Sequence, residues 1–207
     1  VQGFGKIDIS LKASGIDSYS FSGHKIHGPK GIGGLFIDKK HVITPIVFGG
    51  NQERGLRSGT ENLPGIIGFG EAVRIMAKKY NEERKYVFKL KEYFGNRVKE
   101  EIDDIRLNTS LDNNSSPYIL NISFRNVRGE VLLHYLEDKD IYVSTSSACS
   151  SKGTDKSHVL KSIGLKNEEI EGTIRICFSY ENTMEDIDYA IDVLKESVTE
   201  IRQIIMR

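Results

Sequence analysis

The sequence predicts an α/β protein in two parts, and three observations carry that expectation. Short alternating segments and glycine-rich loops fill residues 1–60. An apolar spacing of three and four runs from about Pro64 to Ile102. Strand-like and helix-like segments then alternate from Tyr118 to the end.

Ser18-Tyr19-Ser20-Phe21-Ser22 alternates polar and apolar residues, and Gly34-Leu35-Phe36-Ile37 is a short apolar run, so both are read as strands. Between them, Gly23 to Gly33 holds four glycines and a proline, a composition for backbone held close to something rather than for regular structure. A second loop runs Gly49 to Thr60. Asn62 then caps a helix with Pro64 in its first turn. Val87, Leu90, Phe94, Val98 and Ile102 continue the helical face as one long helix or two in succession, and the boundary between the parts falls near Lys79. The parts are therefore residues 1–79 and 80–207.

In the second part, Tyr118 to Phe124 is read as a strand, Gly129 to Leu136 as a helix and Ile141-Tyr142-Val143 as a short strand. A short helix is expected over Ser157 to Ile163 and a strand over Thr173 to Phe178. The last helix opens on Thr183-Met184-Glu185-Asp186, a threonine cap with an acid three residues on. Its apolar face is Ile187, Ile191, Leu194, Val198, Ile201 and Ile205.

Formal charge is zero over 207 residues, which points to no nucleic-acid or anionic-membrane partner. No apolar run is long enough to span a bilayer. The two cysteines, Cys149 and Cys177, have neither metal-ligand nor CxxC spacing, so no metal is expected. Free thiols and a reducing cytoplasm are the expectation. The chain opens on Val1-Gln2-Gly3 without a methionine and in mid-pattern, which predicts a piece of a longer protein.

Four places bear on chemistry. Lys25 sits between Ser22, His24 and a glycine-rich turn, where hydroxyl and backbone donors converge as they do on a phosphate. Spacing alone leaves Lys30 an equal candidate and a surface turn the commoner outcome. Arg54-Gly55-Leu56-Arg57-Ser58-Gly59-Thr60 has the guanidiniums and hydroxyls of an anion loop, although by itself the segment fits an ordinary polar loop capping the following helix slightly better. Cys149 lies in Ser144 to Ser151, a run of five serines and one threonine with Ala148 the only apolar neighbour. That setting suits an exposed nucleophile on a weakly packed loop better than a buried thiol. Cys177, alternating within a strand, is read as structural. Arg175, among Ile174, Ile176 and Phe178, needs an anionic partner if its face is buried, a structural carboxylate before a ligand.

Taken in order, Ser20-Phe21-Ser22-Gly23-His24-Lys25-Ile26-His27-Gly28-Pro29-Lys30-Gly31, Gln52 to Thr60, Ser147-Ala148-Cys149-Ser150-Ser151 and Thr173-Ile174-Arg175 resemble the class V aminotransferase family of pyridoxal-phosphate (PLP) enzymes, specifically cysteine desulfurases of the NifS/IscS type. The resemblance implies the type I PLP-dependent transferase fold, with residues 1–79 the C-terminal part of the cofactor-binding large domain and 80–207 a small α/β domain. It implies that Lys25, not Lys30, links covalently to PLP. Gln2 is implied at the ring oxygen, Ser22 and His24 at the phosphate, and Thr60 at the phosphate of the other subunit's cofactor, hence a homodimer. Arg175 is implied to hold the substrate carboxylate and Cys149 to carry the sulfur as a persulfide.

Family members carry a portion before the position of Val1, with the histidine that stacks on the ring and the aspartate that pairs with its nitrogen. Ser146 departs from the glycine many members have, which restricts the backbone there. The implied activity is removal of sulfur from L-cysteine, giving L-alanine, with delivery to acceptor proteins of iron–sulfur cluster or tRNA thiolation routes. Selenocysteine lyase or another class V enzyme is the nearest alternative. A non-catalytic dimerisation or docking fragment is the other.

Overall fold

The computed structural model describes residues 1–145 and 157–205. Two compact units divide them, Val1–Asn81 and Glu82–Arg207. Among the described residues no helix is long and apolar enough to cross a membrane.

In the first unit, β1 (Ser18–Ser22) pairs antiparallel with β2 (Gly33–Ile37), from Ser18 opposite Ile37 to Ser22 opposite Gly33. Phe21 stacks on Phe4 with ring centroids 4.9 Å apart and lies 5.8 Å from Phe69, the aromatic packing that seats the hairpin. Val42, Ile46 and Phe48, by contrast, are exposed. Helix α1 (Leu63–Glu101) is continuous over 39 residues. Asn62 starts it as the sequence predicts, its side-chain oxygen accepting the Gly65 amide at 3.1 Å.

In the second unit, β3 (Ile105–Leu107), β4 (Ile119–Phe124), β5 (Ser144–Thr145) and β6 (Thr173–Cys177) form an antiparallel sheet in the order β3-β4-β6-β5. The 2.0-residue period of a strand sorts the residues by face. Leu120, Ile122 and Phe124 of β4 and Ile174 of β6 point inward and join Leu90, Phe94 and Val98 of α1. Leu132 and Leu136 of α2 (Gly129–Glu137) and Ile187, Ile191, Leu194, Val198 and Ile201 of α5 (Met184–Ile205) complete that core. Thr183 and Asp186 cap α5 reciprocally, the Asp186 amide donating to Thr183 Oγ1 at 3.1 Å and the Thr183 amide to Asp186 Oδ2 at 2.9 Å.

Two sequence expectations are corrected here, and two elements are added. Ile141-Tyr142-Val143 is not a strand, because pairing with β6 begins only at Ser144, opposite Arg175. The strand β3 and the one-turn helix α4 (Asn167–Glu171) went unpredicted. Cys177 is exposed rather than packed, since it lies on the outer face of β6 with Arg175. The remaining helix, α3 (His158–Ser162), begins at Ser157, whose hydroxyl accepts the Leu160 amide.

Candidate functional site

The chain reverses after β1 through a 3-10 turn, Gly23–Ile26, that closes on His27 in the left-handed conformation (φ 61°) with its amide donating to the Gly23 carbonyl. Gly23 is required there, because a β-carbon would lie 2.9 Å from Ile32 Cγ2 and 3.0 Å from the Pro29 carbonyl oxygen. The Gly28 amide donates to the Gly23 carbonyl and the Gly23 amide to the Ile32 carbonyl, both at 2.9 Å, which ties the loop across its base. Within this frame Ile26 is buried and Lys25 half-buried, while Lys30 is exposed. Ser22 Oγ and His24 Nδ1 lie 2.8 Å apart. The turn thus groups Ser22, His24 and Lys25 in one short stretch. Gln2 is exposed, in a turn of the N-terminal segment.

The second loop is organised around Ser58, which is buried and donates from Oγ to the Gly50 carbonyl at 2.6 Å. Gln52 Oε1 accepts the Gly59 amide at 3.1 Å. Glu53 and Arg54 both have positive φ (49° and 58°), an uncommon conformation for non-glycine residues. Thr60 follows with its side chain exposed.

Arg175 lies on the outer face of the second unit's sheet, exposed, with Asn121 opposite it on β4 and Ser144 opposite it on β5. It therefore does not need the buried anionic partner that its apolar neighbours suggested: Ile174 and Ile176 face the other way. The guanidinium donates to Ser144 Oγ at 3.3 Å. Among the described residues no carboxylate forms an ion pair with it. Cys149, and the Ser146 departure beside it, lie outside the described residues.

Sequence reasoning did not single out the polar cluster further along the same outer face. Asn108 Nδ2 donates to Asn121 Oδ1 at 2.8 Å and to Ser123 Oγ at 2.7 Å. Ser123 Oγ lies 2.7 Å from Thr173 Oγ1. Glu169, buried, accepts from Arg106 at 3.0 and 3.1 Å and from the Lys166 amide at 2.9 Å. The Lys166 amide and then Arg106 hold its carboxyl below the usual carboxylate range. These contacts fix the strands beside Arg175, and only the alternation of β4 and β6 could have signalled them.

Comparison with known proteins gives a consistent result. The family model for aminotransferase class-V matches residues 1–190. A protein named cysteine desulfurase IscS from Dictyoglomus turgidum is 39% identical over 204 residues, covering 99% of this chain and 52% of the relative. Its namesake from Buchnera aphidicola is 42% identical over 205 residues, covering 98% of this chain and 50% of the relative. A solved NifS-like protein superposes with a TM-score of 0.85 at 38% identity, covering 97% of this chain and 51% of the other. A structure described as SspA in complex with cysteine does so at 0.64 and 30% identity, covering 88% of this chain and 49% of the other. The chain spans about half the length of the curated relatives it matches. Its two units carry the α/β fold of the NifS-like, PLP-dependent proteins over that half, and the chain belongs to the aminotransferase class-V family.

Proposed function

We propose that this chain is part of a PLP-dependent cysteine desulfurase in which Lys25 bonds to the cofactor and Cys149 receives the sulfur. The observation that carries the reading is the Ser22–His24 pair, 2.8 Å apart, beside the half-buried Lys25 on a tied 3-10 turn. The relatives named cysteine desulfurase, and the neighbour described in complex with cysteine, support the same substrate.

The residues fit the cofactor on the chemistry of their donors. Ser22 and His24 offer a hydroxyl and an imidazole to a phosphate, and the Gly23 turn brings the backbone close to them. Gln2 would meet the ring oxygen, and Thr60 the phosphate of a second subunit in a homodimer. Residues 1–79 then belong to the large, cofactor-binding domain and 80–207 to the small one.

Bound PLP supplies a carbonyl that condenses with amines and a ring that draws electrons from the substrate's α-carbon. The chain's own residues do the rest. Arg175 holds the substrate carboxylate. A free Lys25 amine would take the proton from the α-carbon and would return one there after the sulfur has left. The Cys149 thiolate attacks the sulfur of L-cysteine; a sulfur–sulfur bond forms, the carbon–sulfur bond breaks, and a proton replaces sulfur on the carbon. L-cysteine and one thiol thus become L-alanine and one persulfide, with no outside oxidant. The persulfide passes to acceptor proteins, such as those of iron–sulfur cluster assembly or tRNA thiolation. Such chemistry belongs in a reducing compartment, and we assign the cytoplasm.

Borohydride treatment of the PLP-loaded enzyme that contains this chain, followed by peptide mapping, tests the assignment. The cofactor is expected on Lys25. Finding it on Lys30, or on no lysine, overturns the reading.

A further inference from the structure

We infer that Ser144 is a positioning residue for the substrate carboxylate, acting through Arg175; the inference rests on the desulfurase reading. Three strands place Asn121, Arg175 and Ser144 opposite one another, so all three side chains rise from the same outer face of the sheet. Arg175 is exposed there, and a free arginine side chain loses much rotamer entropy when a ligand fixes it. Ser144 Oγ accepts one guanidinium N–H at 3.3 Å and so removes part of that cost before the ligand arrives.

The anchor is also neutral. Asn121, on the other side, is neutral and already held, with its Oδ1 accepting from Asn108 and its Nδ2 donating to the Ile174 carbonyl at 3.2 Å. No described carboxylate is paired with Arg175, so its charge stays available to an anionic ligand while its direction is set by a hydroxyl. Among the described residues one N–H is engaged, by Ser144, and a guanidinium has five, so a fork for a carboxylate remains beside that bond. An acid at position 144 would direct the guanidinium equally well but compete with the substrate for it.

The test is steady-state alanine formation from L-cysteine by the PLP-loaded enzyme that contains this chain. Ser144→Ala should raise KM by about five-fold with kcat nearly unchanged, the loss of one hydrogen bond's contribution to binding. The inhibition constant of L-alanine should rise by the same factor. That of cysteamine, which has the thiol and amine but no carboxylate, should not move. Ser144→Thr should restore KM, and Ser144→Asp should raise it further than Ser144→Ala does. Unchanged KM in Ser144→Ala, an equal effect on cysteamine, or no rescue by threonine overturns the role of Ser144 alone. No alanine from the unsubstituted enzyme overturns the desulfurase reading and this role with it.

Discussion

Ser22 and His24 are joined side chain to side chain, Oγ to Nδ1 at 2.8 Å, at the start of the turn that carries Lys25. The bond orients both groups in advance of any ligand, so removing either partner affects the other. Ser22→Ala and His24→Ala should each weaken PLP retention by roughly ten- to one-hundred-fold, the range for a hydrogen bond to a charged group. Spectrophotometric titration of the apoenzyme with PLP measures this. Retention as tight as wild type in both variants would show that neither side chain meets the phosphate.

The second unit depends on one core that joins the sheet to three helices. Ile122, with no exposed surface, lies within it. Ile122→Ala should destabilise this unit by about 2–5 kcal/mol, the transfer loss plus the cavity left behind. Urea unfolding measures the change. A loss below 1 kcal/mol, roughly that of a surface substitution, would mean that the sheet does not pack on α1, α2 and α5 as described.

How much of this could be read in the sequence depended on how long each pattern persisted. The alternation in β1 and the apolar face of α5 run over several residues, and the Asn62 and Thr183 caps stand at predictable offsets. By contrast, β3 has only three residues, and α4 offers one buried apolar side chain, Ile170, in an otherwise polar turn. Ile141-Tyr142-Val143 has strand-forming residues, yet its neighbours in the register, Ser144 and Thr145, take the pairing with β6. The proposed site divides in the same way. Polar neighbours suggest Cys149, whereas Lys25 rests on the family motif because Lys30 has equal claims by spacing. The half-burial of Lys25 and the exposure of Lys30 follow from tertiary packing, as does the contact of Arg175 with Ser144, 31 residues away.

Lys91 is a fully buried cation, donating to Ser115 Oγ at 2.6 Å and to the Ser116 carbonyl at 2.9 Å. Burial lowers its pKa from 10.5, and Asp112 only partly opposes this. Between the lowered value and 10.5 the unfolded chain holds more protons than the native one, so this group's contribution to stability rises with pH across that window. Lys91→Met should cost no more than about 1 kcal/mol at neutral pH, since the lost bonds are offset by the removed burial cost of a charge. Urea unfolding near neutrality and at about pH 10 should show the wild type gaining on Lys91→Met as pH rises. A gap that stays constant or moves the other way would contradict the burial of a charged lysine.

Glu169 has the opposite sign. Its carboxyl is held low by the Lys166 amide first and Arg106 next, so its contribution is present above 4.5 and is lost as pH falls through the lowered native value. Glu169→Gln should unfold at lower urea than wild type at neutral pH, and the two midpoints should converge in acid. Midpoints that remain equally far apart at low pH would show that the carboxylate's charge is not what holds α4 to β3.

The central claim is that this chain carries the sulfur-accepting thiol of a desulfurase. The most direct measurement is mass spectrometry of the PLP-loaded enzyme after exposure to L-cysteine, with wild type and Cys149→Ser compared and alanine assayed in parallel. One extra sulfur atom on the peptide containing Cys149 is expected in wild type, and neither that sulfur nor alanine in Cys149→Ser, while cofactor absorbance is retained. Undiminished alanine formation by Cys149→Ser, or the added sulfur on Cys177 instead, would contradict the account.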